Sequence, residues 1–321
     1  MELIQVACPL CASKDHKEIF STTDRLVLSD TMVYRLVKCL NCSLRFVNPR
    51  PRDEDIQKLY TDDYFVPKID SKRLLTSQEH INRAKAACFD GLSRTGRILD
   101  VGCQKGEFLE FLKRKGWETY GVDLNSRAPN LFGLPIYYGS LKQAGYPGNF
   151  FNVITFWAVL EHIPDITTQI EEAYRILKPG GCLILLTTNY YSIATGLLKF
   201  DDIPRHLILF TKKTLNILLS KQGFTVEKAY CSDSISKASS YGLLQYLMAR
   251  LTFRDTESFY HEYFRTQFEP KRTTRSRLQQ IRRIGWPKTI LVAMDRLLGV
   301  VLDRISILLN LYGIIIVKAR K

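Results

Sequence analysis

RILDVGCQKGEFLEFLKRKGWETYGVDLN, residues Arg97 to Asn125, is the stretch from which the rest of the chain is read. Ile98 to Val101 is a short apolar run with β-branched residues, suited to a buried strand. Gly102 and Gly106 free the backbone to turn sharply and to approach a ligand closely. Glu107 to Lys115 follows with apolar residues at 108, 109, 111 and 112, a helical spacing, and Gly116 is a natural stop. Thr119 to Val122 reads as a second strand with Asp123 at its end, where an acid can accept hydrogen bonds from both hydroxyls of a ribose. Strand, glycine turn, helix, strand and acid together predict an α/β unit that holds a nucleoside-containing cofactor at the carboxyl ends of parallel strands.

A dinucleotide loop needs G-x-G-x-x-G, so that a pyrophosphate can sit on the helix N-terminus, and no third glycine completes that pattern here. The G-K-[ST] ending of a P-loop is absent as well. Instead the order is Asp100-x-Gly102-x-Gln104-x-Gly106. An acid facing the loop repels pyrophosphate and suits an ammonium group. S-adenosylmethionine carries an amino-acid end, a sulfonium and a ribose, and no phosphate. The stretch resembles the first motif of class I S-adenosylmethionine-dependent methyltransferases, D-x-G-x-G-x-G, with Gln104 in place of the middle glycine. The resemblance implies a Rossmann-like seven-stranded sheet and a donor site made by Asp100, Gly102, Cys103, Gln104, Gly106, Asp123 and Leu124. The Gln104 side chain either points away from the donor or touches it.

Downstream residues continue the resemblance. Leu134 to Tyr138 reads as a third strand, after which Ser140 and Leu141 match the positions that lie near the adenine. Phe151 to Phe156 is apolar almost throughout, as a central parallel strand is. Trp157-Ala158-Val159-Leu160-Glu161-His162 follows it, resembling the segment whose backbone lines the donor and whose acid and histidine face the reaction. Ile170 to Leu177 reads as a helix, and Lys178-Pro179-Gly180-Gly181 as a stop before a fifth strand, Cys182 to Thr188. Arg205-His206-Leu207 precedes a helix, Lys212 to Gln222, and a sixth strand from Phe224. His162 and His206 thereby fall on segments expected at one mouth. His206 is the candidate general base, with Glu161 and His162 as helpers; for each histidine the alternative is a hydrogen-bonded loop residue.

Before this unit, residues 1–50 hold two C-x-x-C pairs, Cys8/Cys11 and Cys39/Cys42, separated by 27 residues. Two such knuckles complete a tetrahedral site, so a structural zinc ribbon is expected, with no open position for catalysis. With Asn48-Pro49-Arg50-Pro51 and Tyr60-x-x-x-Tyr64-Phe65 following, the chain resembles a bacterial group in which a four-cysteine ribbon precedes the methyltransferase domain, and the resemblance implies an acceptor among the sugars or glycan-pathway intermediates on which its members often act. Residues 51–96 read as a helical bridge with Tyr60, Tyr64 and Phe65 covering the site or packing the ribbon. The methyltransferase domain proper is expected over 97–233.

The chain has 321 residues and 46 basic against 32 acidic residues, a net charge of +14, which favours anionic partners. The start, MELIQVACPL, has no basic-then-apolar signal, and eight cysteines without one point to a reducing, cytoplasmic setting. The last strand, within 311–321, is displaced from the sixth by a basic helical insert, residues 234–310. KRTTRSRLQQIRR, 271–283, has six basic residues and no acid. Lys288 to Leu309 is apolar but carries Asp295-Arg296 and Asp303-Arg304, expected to share one stripe of a helix. Such an insert suits a cap or a homodimer contact, or peripheral contact of 271–309 with the anionic inner face of a membrane. A small-molecule or lipid-linked glycan substrate fits the same features. Charge concentrated in the insert rather than around the ribbon argues against the competing reading, a zinc-ribbon protein that binds or modifies RNA.

Overall fold

The computed structural model describes residues 1–24, 31–60, 71–92, 95–126, 130–198, 201–236, 243–251 and 286–321. Near the N-terminus β1 (Leu3–Ile4) pairs with β5 (Arg50–Pro51), and β2 (His16–Thr22), β3 (Tyr34–Cys39) and β4 (Arg45–Val47) form an antiparallel sheet. The Cys39/Cys42 knuckle is the turn between β3 and β4. A short 3-10 turn, Asp53–Leu59, follows, then α1 (Ser71–Ala87). The expected helical bridge thus holds a 3-10 turn and a helix that ends at Ala87 among the described residues, and Tyr64 and Phe65 lie outside them.

The main sheet begins with β6 (Arg97–Val101), α2 (Glu107–Lys113), β7 (Glu118–Asp123), β8 (Ile136–Tyr138) and β9 (Phe151–Trp157). It continues through α3 (Ile166–Ile176), β10 (Leu177–Thr188), β11 (Ile208–Leu209), α4 (Lys212–Lys221) and β12 (Thr225–Cys231). After α5 (Leu243–Leu251) and α6 (Trp286–Leu308), β13 (Ile314–Arg320) closes it. Seven strands lie in the order β8-β7-β6-β9-β10-β13-β12. Five neighbours run parallel, and β13 is antiparallel to both β10 and β12. This is the Rossmann-like class I methyltransferase sheet that the resemblance implied. Burial explains the composition: β6, β9 and β10 are central and apolar, and β13 needs its Ile-Ile-Ile-Val run because it is wedged between two strands.

Helix ends follow their caps. The Asp165 side chain accepts the Thr168 N–H at 3.1 Å to start α3. Thr211 and Thr214 form a reciprocal capping box on α4.

Two expectations are corrected. Lys178-Pro179-Gly180-Gly181 does not stop the chain ahead of a strand. Leu177 already pairs with Phe151, and the four residues bulge out before pairing resumes at Cys182 with Val153. Nor do the two Asp-Arg pairs of α6 share one environment, as a common stripe would give them: Arg296 and Arg304 are exposed and Asp295 is not. Asp295 is fully buried, and it accepts hydrogen bonds from the Leu244 N–H at 3.0 Å and Gln245 Nε2 at 2.7 Å. It caps the start of α5 from a neighbouring helix, while Ile290, Met294, Leu297, Val301, Ile305 and Leu308 face outward. The basic run 271–283 lies outside the described residues.

One strand crosses between modules. β11, in the loop after β10, adds to β4, with Ile208 opposite Phe46 and Leu209 opposite Arg45. The sheet of the cysteine module is therefore finished by a segment from the other module.

Candidate active site

The carboxyl ends of β9, β6 and β7 lie side by side, and their loops carry the residues that the sequence singles out. Gly102 has φ +75°, and a Cβ there would strike Val159. Gly106, at φ +82°, would meet Leu134 Cδ1 at 2.7 Å. Both glycines are thus required by conformation and by space. Gln104 takes φ +49° without being glycine, and its side chain is exposed. Its N–H donates to Asp123 Oδ2 at 2.7 Å, and the Asn125 N–H donates to Asp123 Oδ1 at 2.8 Å. Asp123 is thereby held with a lone pair on each oxygen left for a ribose hydroxyl. Burial raises its pKa, against those two N–H groups.

Asp100 is 3 % exposed and accepts the Thr155 hydroxyl at 2.6 Å. Burial pushes its pKa up to about 6, opposed chiefly by Lys85. The Lys85 ammonium stands 5.1 Å over the Phe108 ring and 5.3 Å over the Trp157 ring, and burial lowers its pKa. An acid and a cation on this floor match the zwitterionic end of an amino acid. Together with Asp123 they fit S-adenosylmethionine.

Not every residue named from sequence turns its side chain to this space. The sulfur of Cys103 lies in the core against Gly121, Leu109 and Leu134, so it has only backbone to offer. Leu141 is likewise in the core, and Leu124 is exposed. Ser140 closes a local turn through Gln143 Oε1 at 2.9 Å. Trp157 packs edge-on against Phe108 at 5.6 Å, and Ala158 has φ +57°.

Beyond β9, Glu161, His162 and His206 each bring one ligand-type atom within 4.8 Å of the others. The two imidazole rings are 4.8 Å apart at 69°. Tyr60 Oη is 2.9 Å from His162 Nδ1, and the Arg205 carbonyl lies 3.0 Å from the same nitrogen. Burial pulls the His162 pKa down to about 3, and His206 adds to this, so the ring is neutral. His206 goes the other way: against burial, Asp201, Asp202 and Glu161 raise its pKa. Burial raises that of Glu161, and neither of its oxygens has a hydrogen-bond partner. Trp157 Nε1, Thr187 Oγ1, Thr188 Oγ1 and Asp201 Oδ2 are buried without a hydrogen bond as well, and His206 Nδ1 has only Asp201 Oδ1 at 3.9 Å, beyond hydrogen-bond reach. So many orphaned polar atoms mark a place built to be hydrated or to hold a polar ligand. Sequence reasoning missed Lys85 and Thr155 as site-forming groups, and had Tyr60 either covering the site or packing the ribbon; its hydroxyl lies at the histidine pair. No local pattern marks Lys85 and Thr155, because they come from α1 and from a strand interior.

The four module cysteines converge. Sγ of Cys8 and Cys42 are 3.5 Å apart, as are those of Cys11 and Cys39, and all four lie within 4.8 Å. Ligands about 2.3 Å from one tetrahedral ion stand about 3.8 Å from each other, so the tetrad could hold zinc. Ala12 and Ser43, each next after a knuckle, take left-handed φ of 59° and 66° to bring the sulfurs round. Burial pushes the Cys42 thiol up to about 11, whereas, against burial, hydrogen bonds from the Ser13 backbone and the neighbouring thiols bring Cys11 down to about 7, so a divalent cation would be what ionises all four together.

A family model described as a methyltransferase domain matches residues 74–229. Over 116 residues the chain is 33% identical to the ubiquinone biosynthesis O-methyltransferase of Alkalilimnicola ehrlichii, covering 32% of this chain and 46% of that protein. Over 106 residues it is 36% identical to the protein of the same name from Xanthomonas oryzae pv. oryzae, covering 29% and 43%. The chain thus spans less than half the length of these relatives. Among solved structures, a putative sarcosine dimethylglycine methyltransferase from Galdieria sulphuraria is 16% identical, with a TM-score of 0.47 over 78% of this chain and 87% of that one. A S-adenosylmethionine-dependent methyltransferase from Archaeoglobus fulgidus is 18% identical, with a TM-score of 0.45 over 78% and 95%. Likenesses of that size carry no weight beside the strand order and the family match. On those two grounds, residues 74–229 are a methyltransferase domain of the class I, S-adenosylmethionine-dependent type.

Proposed function

We propose that the chain transfers a methyl group from S-adenosylmethionine to a hydroxyl of a sugar or glycan-pathway intermediate. The observation that carries this reading is the acid-histidine cluster beside the donor floor, lined with unpartnered polar atoms. A polyhydroxylated acceptor can satisfy such atoms, and an apolar one leaves them orphaned at a cost of about 1–3 kcal/mol each.

The bound donor supplies an electrophilic methyl group. The chain's own residues do the rest. Asp100 receives the ammonium of the amino-acid end, Asp123 takes the ribose hydroxyls, and the backbone from Trp157 to Val159 walls the donor. His206 accepts the proton of the acceptor hydroxyl, and Glu161 stabilises the imidazolium so formed. His162, neutral throughout, fixes the neighbouring loop. Alignment and exclusion of water supply much of the acceleration, so the base adds to a rate that geometry already favours.

Structural zinc in the cysteine tetrad belongs to the same reading, as does a cytoplasmic setting. No described helix is long and apolar enough to cross a membrane. The outward apolar stripe of α6 supports either contact with a second copy or peripheral contact with anionic lipid. Flotation with anionic vesicles at low salt separates these, since a dimer contact leaves the chain at the bottom of the gradient.

A second reading takes a phenolic hydroxyl as acceptor, favoured by the relatives named for ubiquinone biosynthesis. Calorimetry with S-adenosylmethionine tests the first step, and no binding by zinc-loaded protein overturns the proposal. Transfer of a 13C-methyl group to nucleotide sugars, lipid-linked saccharides and catechols then discriminates the acceptors. A methoxy signal on a sugar is expected, and a signal on the catechols alone establishes the second reading.

A further inference from the structure

Arg205 is the largest fully buried side chain among the described residues. Its guanidinium forks onto Asp24, with Nη1 at 2.8 Å from Oδ2 and Nη2 at 2.7 Å from Oδ1. Nε donates to Asp202 Oδ1 at 2.6 Å, and Nη1 also reaches the Leu59 carbonyl at 3.3 Å. Asp24, at 2 % exposure, belongs to the cysteine module, and Asp202 and Arg205 to the loop after β10. The clamp therefore joins two modules through side chains 181 residues apart in sequence.

A buried ion pair is weak evidence of stabilisation, because well-packed apolar residues serve as well or better. What this one does supply is geometry, and the geometry is that of the histidine pair. The Arg205 carbonyl holds His162 Nδ1. The Asp202 carbonyl holds the His206 N–H at 2.7 Å. Leu59, the third group on the guanidinium, precedes Tyr60, whose hydroxyl meets His162 Nδ1. The next residue is tied in as well: the Leu207 N–H donates to the Glu161 carbonyl at 2.9 Å, and its own carbonyl accepts the Val47 N–H at 2.8 Å. One planar cation thus touches the segments bearing Tyr60 and His206 and the carbonyl that orients His162. Lysine cannot reproduce it, since a single ammonium has no flat fork for two acids.

We propose that Arg205 is a positioning residue: clamped between Asp24 of the cysteine module and Asp202, it fixes the His162–His206 pair, so that the folded module sets the geometry of the acceptor site. This rests on the reading that the pair serves the acceptor, and it gives the cysteine module a task beyond covering the sheet.

The test uses the full zinc-loaded chain with 15N-labelled histidine. Asp24→Asn removes one arm and replaces no cysteine, no donor-loop residue and no histidine. The expected result is that the His162 and His206 ring signals shift and broaden, while those of His16, on β2 of the same module, and of His80, on α1, stay in place. Affinity for S-adenosylmethionine by calorimetry is expected within threefold of the parent, with the same zinc content. Arg205→Lys gives the same signature, and Asp24→Glu restores the parent signals in part. Unchanged histidine signals in both Asp24→Asn and Arg205→Lys overturn the proposal. So does equal disturbance of His16, which reports a module loosened as a whole, and so does failure of all three variants to fold, which makes the clamp a folding element only. Absence of S-adenosylmethionine binding in the unsubstituted chain strikes the methyl-transfer reading and leaves the clamp intact, so the two failures are distinguishable.

Discussion

Gln104 sits with a left-handed backbone in the middle of the donor loop, a conformation that costs a non-glycine residue on the order of 1 kcal/mol or more. Its side chain is exposed and its N–H is the part that works, holding Asp123. Gln104→Gly is therefore expected to keep or improve affinity for S-adenosylmethionine, measured by calorimetry. A tenfold loss would mean that the amide side chain itself binds the donor. The histidines give a second prediction at this scale. His206 has a raised pKa, so its proton must leave before it acts as a base, and kcat is expected to climb as pH rises through a midpoint above the usual 6.5 for this group. His206→Asn should lower the rate roughly 100-fold or more and flatten that limb. Stability follows separate signs. The raised His206 contributes stability that is complete below the unfolded value and is lost as pH rises through the folded one. His162 is held neutral down to about pH 3 against an ordinary 6.5, so between those limits the unfolded chain binds the extra proton and stability falls as pH falls. Thermal unfolding across pH is expected to show a maximum near neutrality, with both limbs attenuated when the corresponding histidine is replaced. The glycine turns and the strand-end acid of the proposed donor site were legible as local structure, because their signals are local. The roles of Arg205 and Lys85 were not, since nothing near them in sequence announces partners that the fold brings from far away.

Elements were read more surely than their boundaries. The strands of the main sheet are apolar runs in both sequence and structure, and β13 was legible at a distance because Ile-Ile-Ile-Val suits only a strand buried on both faces. The proline and glycines of 178–181 misled, since the turn they make is a bulge within β10 and not the gap before it. The two-residue strand β11 had no signal of its own, being too short for any periodicity. In α6 the helical period was right and the choice of faces was not. Charge put Asp295 on one stripe with Arg296, Asp303 and Arg304, whereas the start of α5 offers it two donors. Asp295→Ala should therefore destabilise by about 1–2 kcal/mol, the range for loss of an N-terminal cap, and should do so by freeing α5. Unfolding monitored by circular dichroism checks the size, and hydrogen exchange confined to 243–251 checks the place. An unchanged midpoint would mean that α5 is held by its apolar contacts alone.

For the molecule as a whole, composition pointed to anionic partners, and the cysteine spacing to a metal-stapled module. The sulfurs do converge, so zinc is expected to raise the melting temperature and a chelator to lower it. The donor loop lies on other strands, and S-adenosylmethionine affinity should change by less than threefold on chelation. A parallel loss of both would mean that the modules unfold as one. The joint between them has a further consequence, for synthesis. Leu209 pairs with Arg45, so the first module emerges from the ribosome with the outer edge of β4 bare and waits for a partner about 160 residues away. At about 5–20 residues per second, that wait is about 8–30 s. During it the nascent chain presents an unpaired strand edge, the feature that invites pairing with a neighbour on the same polysome. The crossing strand that steadies the finished protein thus leaves the half-made one in need of a chaperone's cover.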